Sequence, residues 1–172
     1  MKSRGVNHFG LVTHDIDATI EFYQGLLGFE PMAYYLREVG ESRIRQVFFD
    51  LGNGQSLEFA QFHDVEAVPE NFDAGINGSL GMGGLGVGPV HFAFDVESME
   101  ELEARKKRLE GAGFAVIGPL DLDWVQSIYF VDPNGVQLEF AYTARSAPGA
   151  AYMEPAQSAE WQRLKTLTAD RH

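Results

Sequence analysis

Four side chains in this 172-residue chain have the types and the spacing of a metal site. His8 and His91 each stand in a short segment of alternating polarity, and Glu58 and Glu139 each stand in another. Side chains alternate between the two faces of a strand, so each of the four lies opposite the apolar residues of its own segment. If the two polar faces meet, two imidazoles and two carboxylates converge in one cavity. Such a set suits a divalent Fe, Ni, Co, Mn or Zn ion, whose charge the carboxylates balance.

These four residues occupy equivalent places in an internal repeat. The segment 53–60 (NGQSLEFA) recurs as 134–141 (NGVQLEFA), and the segment 6–10 (VNHFG) recurs as 89–93 (PVHFA). A repeat of this kind indicates a duplicated structural unit. Any one of the four, taken alone, is more simply a polar residue on the solvent side of a strand. The recurrence of both types at both places favours metal binding.

Each half of the repeat has the pattern of a strand, a helix and three further strands. The first helix has an apolar stripe from Ile16 to Leu27, a cap at Asp15 or Asp17, and an end at Gly28. The second helix is expected from about Leu102 to Leu109, ending near 111–113. Alternation predicts strands near 6–12, 29–37, 43–49, 56–62, 90–96, 114–120, 125–131 and 137–142.

The elements predict an α+β fold in a single domain over residues 1–142. Its predicted parts are module 1 at 6–62, a linker at 63–89 and module 2 at 90–142, followed by a tail at 143–172 that contains a short helix. The glycine-rich segment 81–86 matches a loose dinucleotide-binding pattern, but no strand–turn–helix surrounds it, so we reject nucleotide binding. A linker of this length is typical of a lid or a connector.

Composition excludes several classes of function. The formal net charge of −12 disfavours nucleic acid as a partner, because phosphate backbones need clustered Lys and Arg. The absence of cysteine excludes disulfides, thiol nucleophiles and iron–sulfur clusters. No apolar run approaches the roughly 20 residues of a membrane span, and no signal peptide is visible. We therefore expect a cytoplasmic soluble protein that acts on a small molecule.

The duplicated segments and their four polar residues resemble the vicinal oxygen chelate superfamily, which includes glyoxalase I, bleomycin resistance proteins and extradiol dioxygenases. The segments 19–23 (TIEFY) and 27–29 (LGF) also resemble the first-module signature of that family. The resemblance implies two tandem βαβββ modules that form a cup-shaped mixed sheet around a metal. It also implies a homodimer, and it places the metal ligands at His8, Glu58, His91 and Glu139.

Glyoxalase I is the member whose full set of His, Glu, His and Glu is reproduced here. In that enzyme the metal polarises a carbonyl-derived oxygen, and a ligand carboxylate moves a proton on the adjacent carbon. The resemblance therefore implies isomerase or lyase chemistry on a small oxo or hydroxy substrate, with Glu58 or Glu139 as the base. Glutathione-using relatives carry an Arg and an Asn where this chain has Val12 and Phe62, so glutathione itself is not expected.

Two other activities remain open. Extradiol dioxygenases share the triad of two His and one carboxylate, and the segment 128–139 resembles their closing signature with Tyr129 as a catalytic residue. Those enzymes carry a further His that is absent here, where Asp121 stands near its place. In addition, if Glu58 binds the metal, too few coordination positions stay open for both catechol and O₂. The other alternative is a drug-binding protein without catalysis, although such relatives generally lack the metal ligands. Arg43 and Arg45 are candidates for contacting an anionic substrate.

Overall fold

The computed structural model describes residues 5–63, 91–122 and 124–144. The predicted linker apart from His63, and the predicted tail beyond residue 144, lie outside these residues. The first module comprises β1 (His8–Val12), α1 (Ile16–Ile20) with a π-helical continuation (Glu21–Leu26), β2 (Pro31–Val39), β3 (Ser42–Gly52) and β4 (Gln55–His63). The second comprises β5 (Phe92–Asp95), α2 (Met99–Gly111), β6 (Ile117–Asp121), β7 (Val125–Val131) and β8 (Gln137–Thr143).

The two modules form two four-stranded sheets with the same topology. The strand order is β1-β4-β3-β2 in one sheet and β5-β8-β7-β6 in the other. In each sheet the first strand pairs in parallel with the last, and the remaining pairs are antiparallel. The prediction of an α+β fold with two tandem βαβββ modules is confirmed.

Both helices begin at side-chain caps that the sequence favours. The Asp15 carboxylate accepts hydrogen bonds from the backbone N–H groups of Asp17 and Ala18, so Asp15 is the cap and Asp17 lies in the first turn. Ser98 caps α2 through the N–H of Glu101. After α1 the helical period widens into the π-helical segment, which ends before Gly28, a residue with a positive φ of 78°.

The helical segment of module 1 lies between the two sheets. Tyr23 packs against Phe49 and Phe59 of its own sheet, while Phe22 contacts Phe130 on β7 of the other module. The apolar faces of both sheets accordingly share one core. Since each sheet turns its apolar face inward, its polar face points outward, and the two polar faces are directed away from each other.

Two polar contacts, one buried and one partly buried, also join the modules. The Tyr23 hydroxyl donates to Oδ2 of Asp132 over 3.0 Å, and the Thr13 hydroxyl donates to Oδ1 of Asn134 over 2.7 Å. Burial raises the pKa of Tyr23 well above its usual range, and burial also raises the pKa of Asp132. The turn that the sequence marks as a hairpin therefore also docks module 2 onto the first helix.

Within the described ranges, no helix is long and apolar enough to cross a membrane.

Candidate metal centre

Strand register places one His beside one Glu in each module. On β1, Gly10 is the partner of Glu58 on β4, and His8 precedes Gly10 by two positions on the same face. In the second module Ala93 is the partner of Glu139 on β8, and His91 stands two positions before Ala93. The two modules therefore repeat the same His–Glu relation, as the sequence predicts.

The pair in module 2 is in direct contact. Nε2 of His91 lies 2.8 Å from Oε2 of Glu139. The Ser127 hydroxyl on the neighbouring strand β7 donates a hydrogen bond to the other carboxylate oxygen, Oε1. Glu139 is only 5% exposed, whereas the His91 side chain is partly exposed. A buried carboxylate with both oxygens engaged is held in one orientation.

Tyr129 completes this half of the site. It faces Glu139 in the β7–β8 register, and its ring meets the His91 imidazole edge-on with centroids 5.5 Å apart. Burial and the nearby negative charge of Glu139 raise the pKa of Tyr129. At neutral pH the phenol is therefore a protonated O–H donor rather than a base.

The pair in module 1 is more open. His8 is exposed, and its Nδ1 lies 2.7 Å from Oδ1 of Asn7. Glu58 is half-buried, and its Oε1 accepts a hydrogen bond from Nε2 of Gln46 on β3. Its other oxygen, Oε2, lies over Gly10, where an added Cβ would be 3.5 Å away.

The structure arranges the four residues as two pairs and not as one quartet: His91 contacts Glu139, whereas His8 and Glu58 are related by strand register. Among the residues it describes, no three His, Asp or Glu side chains form a group that could hold a metal ion. The expectation that all four meet in one cavity is therefore not met within a single chain. The physical reason is the shared core, which directs the two polar faces apart.

The face around the module 1 pair is largely apolar. Val12 and Phe62 lie on it by register and are each 41% exposed. Tyr35 also lies there, with Arg37 placed 4.7 Å above its ring. Val12 and Phe62 stand in place of the Arg and Asn of glutathione-using relatives, and the exclusion of glutathione stays a prediction. Arg37 is a cation on this face that the sequence prediction missed. Its position two residues after Tyr35 was a usable signal, because residues two apart on a strand share a face.

Two other sequence expectations change in the structure. Arg45 lies on the opposite face of β3 from Gln46 and makes an ion pair with both carboxylate oxygens of Asp17. The hydrogen bonds from Arg45 lower the pKa of Asp17. Arg45 therefore does not reach the candidate site. Asp121 pairs in register with Gln126, which alternation places on the opposite face from Ser127. Asp121 thus does not replace the missing dioxygenase histidine.

Comparison with known proteins gives a family match over most of the chain. The model of the Glyoxalase/Bleomycin resistance protein/Dioxygenase superfamily matches residues 5–140. A curated relative, the probable trivalent organoarsenical cleaving enzyme of Bacillus subtilis, is 39% identical over 57 residues. That match covers 31% of this chain and 39% of the relative, so it spans only about two fifths of the relative's length.

Solved structures share the fold. A mutant of the fosfomycin resistance protein FosX of Listeria monocytogenes, complexed with Mn(II) and dihydroxypropylphosphonic acid, is 18% identical. Its TM-score is 0.58, with 87% of this chain and 99% of that chain covered. The antibiotic-binding protein TnmS3 of Streptomyces sp. CB03234 is 19% identical with a TM-score of 0.55, covering 83% of this chain and 98% of that one.

Proposed function

The chain belongs to the Glyoxalase/Bleomycin resistance protein/Dioxygenase superfamily, and from that premise we propose that it is a divalent-metal-dependent enzyme. The proposed ligands are His8 and Glu58 of module 1 with His91 and Glu139 of module 2. The observation that carries this proposal is the repeated His–Glu relation, which strand register gives identically in both modules. An imidazole nitrogen beside a carboxylate oxygen is a donor pair typical of Fe, Ni, Co, Mn and Zn sites.

A complete site needs two copies of the chain in this proposal. The module 1 pair of one copy meets the module 2 pair of another, and a homodimer then holds two sites. Two observations support this arrangement: the polar faces of one chain point apart, and the face around His8 and Glu58 exposes Val12, Phe62 and Tyr35. Contiguous exposed apolar residues around polar groups are typical of surfaces that bind a partner or a ligand.

The proposed reaction is proton transfer on a small oxo or hydroxy substrate, with isomerase or lyase outcome. A bound divalent ion would supply polarisation of a substrate oxygen. One of the two carboxylates, Glu58 or Glu139, then accepts a proton from the carbon next to that oxygen. Tyr129, protonated at neutral pH, donates its O–H beside Glu139. The exposed Val12 and Phe62 favour a substrate with an apolar group over a glutathione conjugate.

Two other activities are the alternatives to this proposal. Ring-cleaving dioxygenation is favoured by the triad of His8, His91 and Glu139, and it requires that Glu58 be displaced from the metal. The position of Asp121 on the opposite face counts against it. Drug binding without catalysis is favoured by the apolar face around His8 and by the shared fold of an antibiotic-binding protein.

Metal content measured by plasma mass spectrometry tests the proposal. The samples are the unaltered protein and its His91→Ala, Glu58→Ala and His14→Ala variants, all purified without chelator. We expect about one metal ion per chain, lost in His91→Ala, reduced in Glu58→Ala, and retained in the matched control His14→Ala, a histidine on the exposed loop after β1. Iron retained in full by Glu58→Ala would favour the dioxygenase. No metal in any sample, even after reconstitution, would contradict the proposal and leave drug binding.

A further inference from the structure

Two neutral hydrogen-bond donors stand at the same place in the two modules. Gln46 on β3 faces Ala60 on β4, and Ser127 on β7 faces Ala141 on β8. Each of these alanines lies two positions beyond the glutamate of its module. Gln46 and Ser127 are therefore structurally equivalent, although one is a long amide and the other a short hydroxyl.

Each of the two donors bonds the glutamate of its own module at the same atom. Nε2 of Gln46 donates to Oε1 of Glu58, and Oγ of Ser127 donates to Oε1 of Glu139. Both modules therefore have a hydrogen-bond donor on the glutamate, but the residue that supplies it differs.

The amide of Gln46 is oriented by Glu58. Its carbonyl oxygen, Oε1, is buried and has no hydrogen-bond partner among the residues that the structure describes. The reversed amide would set that oxygen against Oε1 of Glu58, where two acceptors repel. In the observed orientation the Gln46 oxygen has no partner among the described residues, while the Gln46 N–H group donates to the Glu58 carboxylate. A side chain that only filled space would not require this orientation.

We propose that Gln46 and Ser127 are positioning residues for the two carboxylates. Each donor holds one oxygen of its glutamate, so the second oxygen is presented toward the metal. This inference rests on the proposed function, since it assumes that Glu58 and Glu139 are ligands. Outer donors of this kind fix the orientation of a ligating side chain, and their loss typically weakens metal affinity by about 10- to 100-fold.

The two glutamates, Glu58 and Glu139, are not positioned equally firmly. Glu139 is buried and engaged at both oxygens, by Ser127 and by His91. Glu58 is half-buried and held at Oε1 by Gln46, while its Oε2 lies over the hydrogen atoms of Gly10. Without Gln46, Glu58 can rotate away and be hydrated. Without Ser127, the Glu139 oxygen stays buried and loses its donor, so Ser127→Ala lowers the stability of the metal-free protein as well.

The test is titration of metal-free protein with Mn²⁺, followed by the paramagnetic resonance signal of free Mn²⁺, beside thermal unfolding of the same metal-free samples. Gln46→Leu removes the donor and keeps the side-chain volume. The matched control is Gln126→Leu, the same change next to Ser127 on β7 but on the opposite face. We expect Gln46→Leu to bind Mn²⁺ about 10- to 100-fold more weakly, with the midpoint of metal-free unfolding changed by less than about 4 °C.

The outcomes separate this inference from the proposed function. Gln126→Leu is expected to bind like the unaltered protein, and Ser127→Ala is expected to weaken binding by at least the same factor as Gln46→Leu. Unchanged Mn²⁺ affinity in both Gln46→Leu and Ser127→Ala would overturn the positioning roles and leave the metal site in place. If Gln46→Leu loses Mn²⁺ affinity and its metal-free form also loses most of its stability, the positioning roles would be overturned in favour of a structural role. No Mn²⁺ binding by the unaltered protein, together with no metal in any of the mass-spectrometry samples, would contradict the proposed function itself.

Discussion

Glu58 and Glu139 are the same residue in two copies of one module, yet their surroundings differ. Glu139 is enclosed by His91, Ser127 and Tyr129, whereas Glu58 is half-buried and accepts one hydrogen bond from Gln46. Paired carboxylates in unequal environments generally take unequal roles in acid–base chemistry. In the proposed site Glu139 is the more firmly held ligand, and Glu58, held at one oxygen by Gln46, has more freedom to move.

Tyr23 gives a prediction about pH. Its raised pKa means that the folded chain keeps the phenol proton at a pH where the unfolded chain, with a pKa of about 10, has lost it. The contribution of this group to stability is therefore fully present below about pH 10 and is lost as pH rises toward the folded pKa. Tyr23→Phe removes this dependence and also the hydrogen bond to Asp132.

We expect Tyr23→Phe to be less stable than the unaltered protein by about 1–3 kcal/mol at neutral pH, because the buried Asp132 Oδ2 loses one donor and keeps only the Asn134 amide. Above about pH 10 its stability should fall less steeply. Urea unfolding at a series of pH values measures both effects. Parallel losses of stability in the two proteins at alkaline pH would show that Tyr23 is not the group responsible.

Much of the candidate site could be predicted residue by residue. Alternation placed His8, Glu58, His91 and Glu139 on polar strand faces, because a strand period of two is visible in the sequence. Gln46 and Ser127 were missed because their types differ. The signal was nonetheless present, since each stands seven positions before the Asn of its Asn-Gly turn. Aligning the two halves of the repeat would have paired them.

Among the elements, β6 depends on one glycine that makes a close approach to its neighbour. Gly118 has a φ of +107°, and a Cβ there would lie 2.5 Å from the backbone oxygen of Ser127 on β7. Gly118→Ala therefore combines backbone strain with a backbone clash, and we expect a loss of about 2–4 kcal/mol in the free energy of unfolding. Because the clash displaces Ser127, metal affinity should fall as well.

Gly113→Ala is the control for this prediction. Gly113 also has a positive φ, of +89°, but a Cβ there would meet nothing within 4 Å. Backbone strain alone should lower the free energy of unfolding of Gly113→Ala by about 1–2 kcal/mol. Chemical denaturation of the two variants compares them. Equal losses would mean that β7 moves aside freely, and the close approach of Gly118 would then be unimportant.

The existence and order of the elements could be predicted, but the packing of the helices could not. Helical spacing identified Ile16, Ile20, Tyr23 and Leu27 as an inward stripe. Ile16, Tyr23 and Leu27 are buried, and Ile20 is partly buried against the core. Such a stripe shows which face of a helix is apolar, but not which sheet that face meets. Phe22 was outside the predicted stripe, because the π-helical continuation widens the period after Ile20. The contacts of Phe22 with Phe114 and Phe130 are among those that join the helix of module 1 to module 2.

At the scale of the whole molecule, the shared core predicts that the modules unfold together. Phe22 is 3% exposed and contacts both Phe114 and Phe130 of the other module. Phe22→Ala should cost about 3–5 kcal/mol. The loss should appear as one transition when followed by circular dichroism and by tryptophan fluorescence. Leu36→Ala, at a residue that is 72% exposed, is the control and should change stability by less than about 0.5 kcal/mol.

Two separate transitions in Phe22→Ala would contradict the shared core. They would show that each module has a core of its own, with Phe22 serving only as a contact between them. The polar faces would then be free to turn toward each other, and a metal site within one chain would become the better account.

The most direct test of the central claim is complementation between two defective variants. One carries His8→Ala and Glu58→Ala, and the other carries His91→Ala and Glu139→Ala. Each variant alone has only half of every site and should bind no metal tightly. In a mixed dimer, the intact module 1 of one chain meets the intact module 2 of the other, so co-expression should restore one metal ion per mixed dimer. Absence of metal from the purified mixed dimer, with the unaltered protein loaded, would contradict a site shared between two copies.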